Sequence, residues 1–221
     1  MSKQAVIFGA TGAVGSHLLK LCLGGDRYQK VIVVARRASS FTHAKLGWIE
    51  IELDALDDLS AIAGLVDGDA YCCLGTTIKA AGSQERFHQV DFDLVLNTAR
   101  FAKKCGVENF SMVSALGADA KSKNFYLRTK GEAEAAVIAQ NLPFLRIFRP
   151  SLLKGKRDDF RLKEEIGNFA SLLLTPIFHL GLRKYQPIEI EKVARALYET
   201  AATGSDADPV CIYESDRLQS Y

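Results

Sequence analysis

This chain has no long apolar run, no strong net charge, no spaced metal ligands and no internal repeats, and each absence removes a class of function. The apolar stretch from Ser171 to Leu182 is interrupted by Pro176 and Gly181. It falls well short of the ~20 apolar residues needed to span a bilayer. Lys and Arg total 28 against 26 Asp and Glu, a formal charge of +2. No broad basic field therefore points to nucleic acid or an anionic membrane as partner. The five cysteines, Cys22, Cys72, Cys73, Cys105 and Cys211, are odd in number and lack metal-ligand spacing, and no two of the four histidines stand at i, i+4. No metal is expected, and the thiols read as free groups in a reducing compartment. Met1-Ser2-Lys3-Gln4 runs straight into an apolar strand pattern. With no room for a signal peptide, a cytoplasmic protein is expected.

What is present is an alternation of short apolar runs with amphipathic stretches. Ala5–Phe8, Lys30–Ala35, Trp48–Leu53, Asp69–Leu74, Phe110–Ser114, Phe144–Phe148 and Val210–Tyr213 read as strands. Between them lie helical patterns at Val14–Cys22, Leu56–Leu65, Ser83–Lys104 and Tyr126–Gln140, with a further helix at Ile188–Thr200. Near-continuous apolar strands alternating with helices imply an α/β fold, a doubly wound, Rossmann-like parallel sheet covered on both faces. With 221 residues and no composition shift that marks a linker, the expectation is one domain over 1–221. The less regular stretch at about 151–187 is read as a small C-terminal cover on the substrate side. Its part from Asp158 to Leu182 is expected to be more mobile than the sheet.

Gly9-Ala10-Thr11-Gly12-Ala13-Val14-Gly15 stands between the first strand and the first helix. There glycine permits positive φ and close backbone approach, and a pyrophosphate can sit on the free N–H groups of the helix N-terminus. A dinucleotide is the expected ligand. An NAD-preferring site places an acid after the second strand to hold the ribose 2′-hydroxyl. Ala35-Arg36-Arg37 occupies that place, and two guanidinium groups suit a 2′-phosphate. NADP(H) is thus favoured over NAD(H), the other reading being a solvated basic loop. Lys154-Gly155-Lys156-Arg157 is a second basic cluster, read either as solvated surface or as an entry for an anionic substrate.

Tyr126 and Lys130 lie at i and i+4 of one predicted helix, so they share a face. A nearby ammonium favours phenolate and would lower the tyrosine pKa toward neutrality, fitting it for acid/base work. Ser114 ends the fifth predicted strand, at the edge where doubly wound sheets hold ligands. Its hydroxyl could hold a carbonyl oxygen, or serve only a local turn.

Together these residues make the chain resemble the short-chain dehydrogenase/reductase superfamily, in its extended or atypical branch. The resemblance runs through the glycine turn, Asp54, Leu74-Gly75-Thr76, Ser114, Tyr126-Leu127-Arg128-Thr129-Lys130 and Arg149-Pro150-Ser151. More narrowly, Val113–Asp119, Lys130–Glu134 and Phe148–Pro150 look like the Tat-interacting-protein-like oxidoreductases. The resemblance implies that Gly9, Gly12 and Gly15 form the pyrophosphate turn, with Asp54 near the adenine. It also implies that Leu74, Gly75, Thr76 and Pro150 line the cofactor. Tyr126 would be the catalytic acid/base, Lys130 would bind the nicotinamide ribose and Ser114 would orient the carbonyl. For Asp54 a helix N-cap is an equally good reading. Two departures stand out: Asp91 occupies the position where many members carry an active-site asparagine, and Ala115 follows Ser114 where a second hydroxyl is common. Asn97 is expected on a different helix face.

The expected activity is therefore reduction of a small carbonyl substrate by an NADPH-dependent oxidoreductase, acting as monomer or homodimer. The rival is an NADP(H)-binding regulatory or redox-sensing protein with little turnover. A sugar-nucleotide epimerase, which needs a larger C-terminal substrate domain than the residues after Pro150 supply, ranks third.

Overall fold

The computed structural model describes residues 3–56, 65, 67–155, 183–201 and 208–221. Within them a seven-stranded sheet runs in the order β3-β2-β1-β4-β5-β6-β9, with every neighbouring pair parallel. The strands are β1 (Lys3–Phe8), β2 (Tyr28–Ala35), β3 (Leu46–Glu50), β4 (Asp69–Cys72), β5 (Asn109–Val113), β6 (Phe144–Arg149) and β9 (Val210–Glu214). A short parallel pair, β7 (Leu153–Lys154) with β8 (Ile188–Glu189), lies outside the main sheet. The helices are α1 (Ala13–Gly24), α2 (Ile78–Ala81), α3 (Gln84–His88), α4 (Leu94–Lys104), α5 (Phe125–Ile138), α6 (Ile190–Thr200) and α7 (Ser215–Leu218). The doubly wound α/β expectation is met.

The sheet holds because its inner strand β1 has two apolar faces. Ala5, Val6, Ile7 and Phe8 of β1 are wholly buried and feed alternate cores. One core joins Ile7 and Val33 to Leu18 and Cys22 of α1 and Val193 and Leu197 of α6. The other joins Phe8 and Val34 to Phe101 of α4 and Val137 of α5. Each large apolar side chain so buried contributes roughly 1.5–3 kcal/mol.

Element ends differ from the sequence pattern where apolar residues serve the core without a ladder. β3 stops at Glu50, the last residue in register with β2, although the apolar pattern runs on and Leu53 is buried in a turn. The expected Ser83–Lys104 helix is one helical stretch with a π turn, Gln89–Asp93, between α3 and α4. The expected helix Leu56–Leu65 and the segment Asp158–Leu182 fall almost entirely outside the described residues. No helix among the described residues is long and apolar enough to cross a membrane.

Candidate active site

The strand order reverses direction at β1, between β2 and β4. At such a switch point the loops leaving the carboxyl ends diverge and leave a crevice. The loops after β1, β2, β4, β5 and β6 carry Gly9–Gly15, Arg36-Arg37, Leu74–Thr76, Ser114 and Pro150, all therefore on one edge of the sheet. Asp54 lies exposed in the turn following β3.

The glycine turn is tightly built. Gly9 has φ +78°, and a Cβ there would stand 2.6 Å from the Cys73 carbonyl oxygen. A Cβ on Gly15 would meet the Gly9 carbonyl oxygen at 2.1 Å, so the helix packs directly on the turn. The Gly12 N–H donates to the Gly9 carbonyl at 3.0 Å. Gly12 is the N-cap of α1 and supplies no side-chain cap. Thr11 and Gly12 are exposed. The first-turn N–H groups therefore lack helical carbonyl partners and face an open approach, the donor set that an anionic phosphate requires.

Across the crevice, Asp91 sits inside the π turn with no exposure. One carboxylate oxygen is 2.6 Å from Lys130 Nζ, and the other accepts the Thr76 N–H at 2.9 Å. A π turn inserts an extra residue into a helix, and here it carries Asp91 into the interior. Its carboxylate thus joins the loop after β4 to α5. Gly75 leaves this pair approachable: a Cβ there would lie 3.5 Å from Asp91 Oδ1 and 3.6 Å from Lys130 Nζ. Burial opposes the Lys130 charge, but Asp91 more than offsets it and raises the ammonium's pKa above its ordinary value.

Tyr126 is half-buried one helical turn before Lys130, its ring 5.5 Å from that of Phe87. Burial pushes its phenol up, Lys130 pulls it down and Asp91 pushes it up again, with a net upward direction. The sequence expectation of a phenol lowered by Lys130 is corrected here, because spacing along one helix shows neither how deeply the phenol is buried nor the carboxylate that arrives from another element. Ser114 is held by its N–H donating to the Phe148 carbonyl at 2.7 Å. Its Oγ is buried with no hydrogen-bond partner among the described residues. An orphaned hydroxyl costs about 1–3 kcal/mol, which a ligand acceptor or donor can recover.

Arg36 and Arg37 are exposed after β2 and make no ion pair among the described residues. Neither reaches the Asp91 cluster by any recorded contact. A second ionic centre escaped the sequence reading of roles. Arg149, at the end of β6, bonds both oxygens of buried Glu134 on α5, at 3.0 and 2.5 Å. It also donates to Glu214 on β9 at 3.0 Å. This clamp ties the helix carrying Tyr126 and Lys130 to two strands.

A family model described as NAD(P)H-binding matches residues 9–172. Protein FMP52-1 of the yeast Scheffersomyces stipitis, named as mitochondrial, is 33% identical over 231 residues, covering 97% of this chain and 96% of its own. Protein HTATIP2 of Rattus norvegicus is 36% identical over 162 residues, covering 72% of this chain and 66% of that protein. The chain belongs to the atypical short-chain dehydrogenase/reductase family.

Solved structures agree on the fold of this family member. The Bordetella bronchiseptica enzyme WbmH, in complex with NAD+, superposes with TM-score 0.68 at 17% identity, covering 97% of this chain and 76% of that one. MoeE5, in complex with UDP-glucose and NAD, gives 0.66 at 18% identity, with 96% and 76% covered. The relatives also overturn one expectation. Proteins named FMP52 in three yeasts are called mitochondrial, which points away from the cytoplasmic location expected above. That expectation rested on how soon the first strand pattern follows Met1, and the packing of a Rossmann-like core carries no record of compartment.

Proposed function

We propose that this protein is an NADPH-dependent oxidoreductase that reduces a small carbonyl substrate. The observation that carries this reading is the buried, unpartnered Ser114 hydroxyl at the same sheet edge as the glycine turn. An apolar wall would serve a purely structural site at least as well, whereas an orphaned hydroxyl suits a carbonyl oxygen.

Gly9, Ala10, Thr11, Gly12, Ala13, Val14 and Gly15 would hold the pyrophosphate through the open N-terminus of α1, and Arg36 and Arg37 the 2′-phosphate. Leu74, Gly75, Thr76 and Pro150 would line the cofactor, Asp54 would approach its adenine and Lys130 would contact the ribose. When bound, the reduced nicotinamide supplies hydride to the carbonyl carbon. Ser114 orients the oxygen, and Tyr126 gives that oxygen its proton. A phenol that stays protonated above neutrality suits a proton donor. Residues 151–187 would form the substrate-side cover of one functional unit.

The test is a screen of carbonyl compounds with NADPH, followed by Tyr126→Phe. That variant should abolish turnover while leaving NADPH binding nearly unchanged, because the ring and its packing on Phe87 remain. Lys130→Met should impair both. Undiminished turnover in Tyr126→Phe eliminates the mechanism, and tight NADPH binding without turnover of any carbonyl favours the regulatory reading.

A further inference from the structure

Asp91 is a charged group that the proposed chemistry does not itself consume. A wholly buried carboxylate is costly unless paired and hydrogen-bonded. Here both oxygens are engaged, one by Lys130 Nζ at 2.6 Å and one by the Thr76 N–H at 2.9 Å. The π turn presents it from the α3–α4 stretch, the amide from the loop after β4, and the ammonium from α5. An asparagine could accept the Thr76 N–H equally well. Only the carboxylate can also neutralise Lys130.

We propose that Asp91 is a positioning residue that fixes Lys130 against the Leu74–Thr76 loop and shares its charge, so that carbonyl reduction persists to higher pH than an uncompensated Lys130 would allow. The inference rests on the oxidoreductase reading for its kinetic consequence. Its electrostatic core does not depend on that reading. Among the described residues, the charged groups shown to act on Tyr126 are Lys130, one turn along α5, and Asp91 from the π turn. From α3 it meets the uncharged Phe87 ring. The Cys72 thiol at the end of β4 acts on Lys130 and itself stays protonated, held up chiefly by burial. A Tyr126 phenolate would thus form beside a nearly neutral pair, not beside a bare cation. The phenol keeps its proton longer, and a proton donor works only while it holds one.

The test is a pH titration of the whole protein carrying 13Cζ-labelled tyrosine, followed by NMR, with the Tyr126 signal assigned by its loss in Tyr126→Phe. In Asp91→Asn, Tyr126 should lose its proton about one to two pH units lower than in wild type, as expected for removing one of the charges that act on it. The alkaline limb of carbonyl reduction should move down by the same amount, and Asp91→Glu should restore both. An unmoved Tyr126 midpoint overturns the proposal. Should Asp91→Asn fail to fold, the double variant Asp91→Asn/Lys130→Met removes both charges together. Its Tyr126 midpoint should stay close to wild type, whereas a midpoint raised by about a unit or more would mean that Lys130 acts uncompensated and would overturn the idea. Because the titration needs neither substrate nor cofactor, failure of the oxidoreductase reading is distinguishable: turnover would be absent while the midpoint still moved.

Discussion

Replacing Gly9 by alanine should damage fold and cofactor binding together, and the structure gives the size of the effect. Gly9 has φ +78°, and its added Cβ would stand 2.6 Å from the Cys73 carbonyl oxygen, 2.7 Å from that carbon and 2.9 Å from Leu74 N. All three are backbone atoms in the loop leaving β4, so no side-chain rotation relieves the contact. The left-handed backbone costs an L-residue about 1–2 kcal/mol, and the forced shift of packed atoms about 1–3 kcal/mol more. The expected loss of about 2–5 kcal/mol is a large part of a typical domain's stability of roughly 5–15 kcal/mol. For a chain of this length it lowers Tm by roughly 4–20 °C. Gly24→Ala is the control: at the end of α1 its Cβ would meet nothing within 4 Å, and alanine favours helix by about 1 kcal/mol over glycine. Thermal unfolding by circular dichroism, with NADPH titration of each variant, measures both effects. Gly9→Ala that melts and binds like wild type would refute the argument that β1 and the loop after β4 meet too closely for a side chain.

Three further outcomes follow from other parts of the molecule. Wild type should bind NADPH more tightly than NADH by isothermal titration, and Arg36→Ala/Arg37→Ala should lose mainly NADPH affinity, by several-fold; equal wild-type affinities would remove the 2′-phosphate assignment. Glu134→Gln leaves Arg149 without its charged bidentate partner and should cost about 3 kcal/mol in urea unfolding, with the half-buried Glu214 too weak to compensate; a loss under about 1 kcal/mol would mean the clamp acts as a surface pair. Asp69 is buried where Lys3, Tyr28 and Asn109 reach it at 2.9, 2.5 and 2.8 Å, yet burial still holds its carboxyl above the usual range. A raised folded pKa favours folding at low pH and loses that contribution as pH rises through it. Wild type should therefore lose stability relative to Asp69→Asn as pH rises above the ordinary carboxylate range, and a difference independent of pH would contradict the burial argument.

Most of the sheet was legible because its signal is local. Ala5–Phe8, Lys30–Ala35, Phe110–Ser114 and Phe144–Phe148 declare themselves as apolar runs, and each lies within about a residue or two of an observed strand. The misjudged ends have a shared cause. Leu53 is apolar because the core needs it, although no neighbouring strand pairs with it. The glycine turn was legible for a related reason: a positive φ and a close backbone approach both demand the same residue at a fixed offset from strand and helix.

The sequence by itself determined the α/β class, the turn at Gly9–Gly15, and the alignment of Tyr126 with Lys130, since all three depend on periodicity or spacing over a few residues. Only tertiary structure decided what surrounds those groups. The π turn that carries Asp91 to Lys130, and the clamp of Arg149 on Glu134 and Glu214, join residues from separate elements. No pattern along the chain encodes the resulting electric field. A side chain's charge is written in the sequence, whereas its neighbours and its distance from water are set by how helices dock on the sheet. That is why Tyr126 could be found by spacing alone, while the direction of its proton affinity could not.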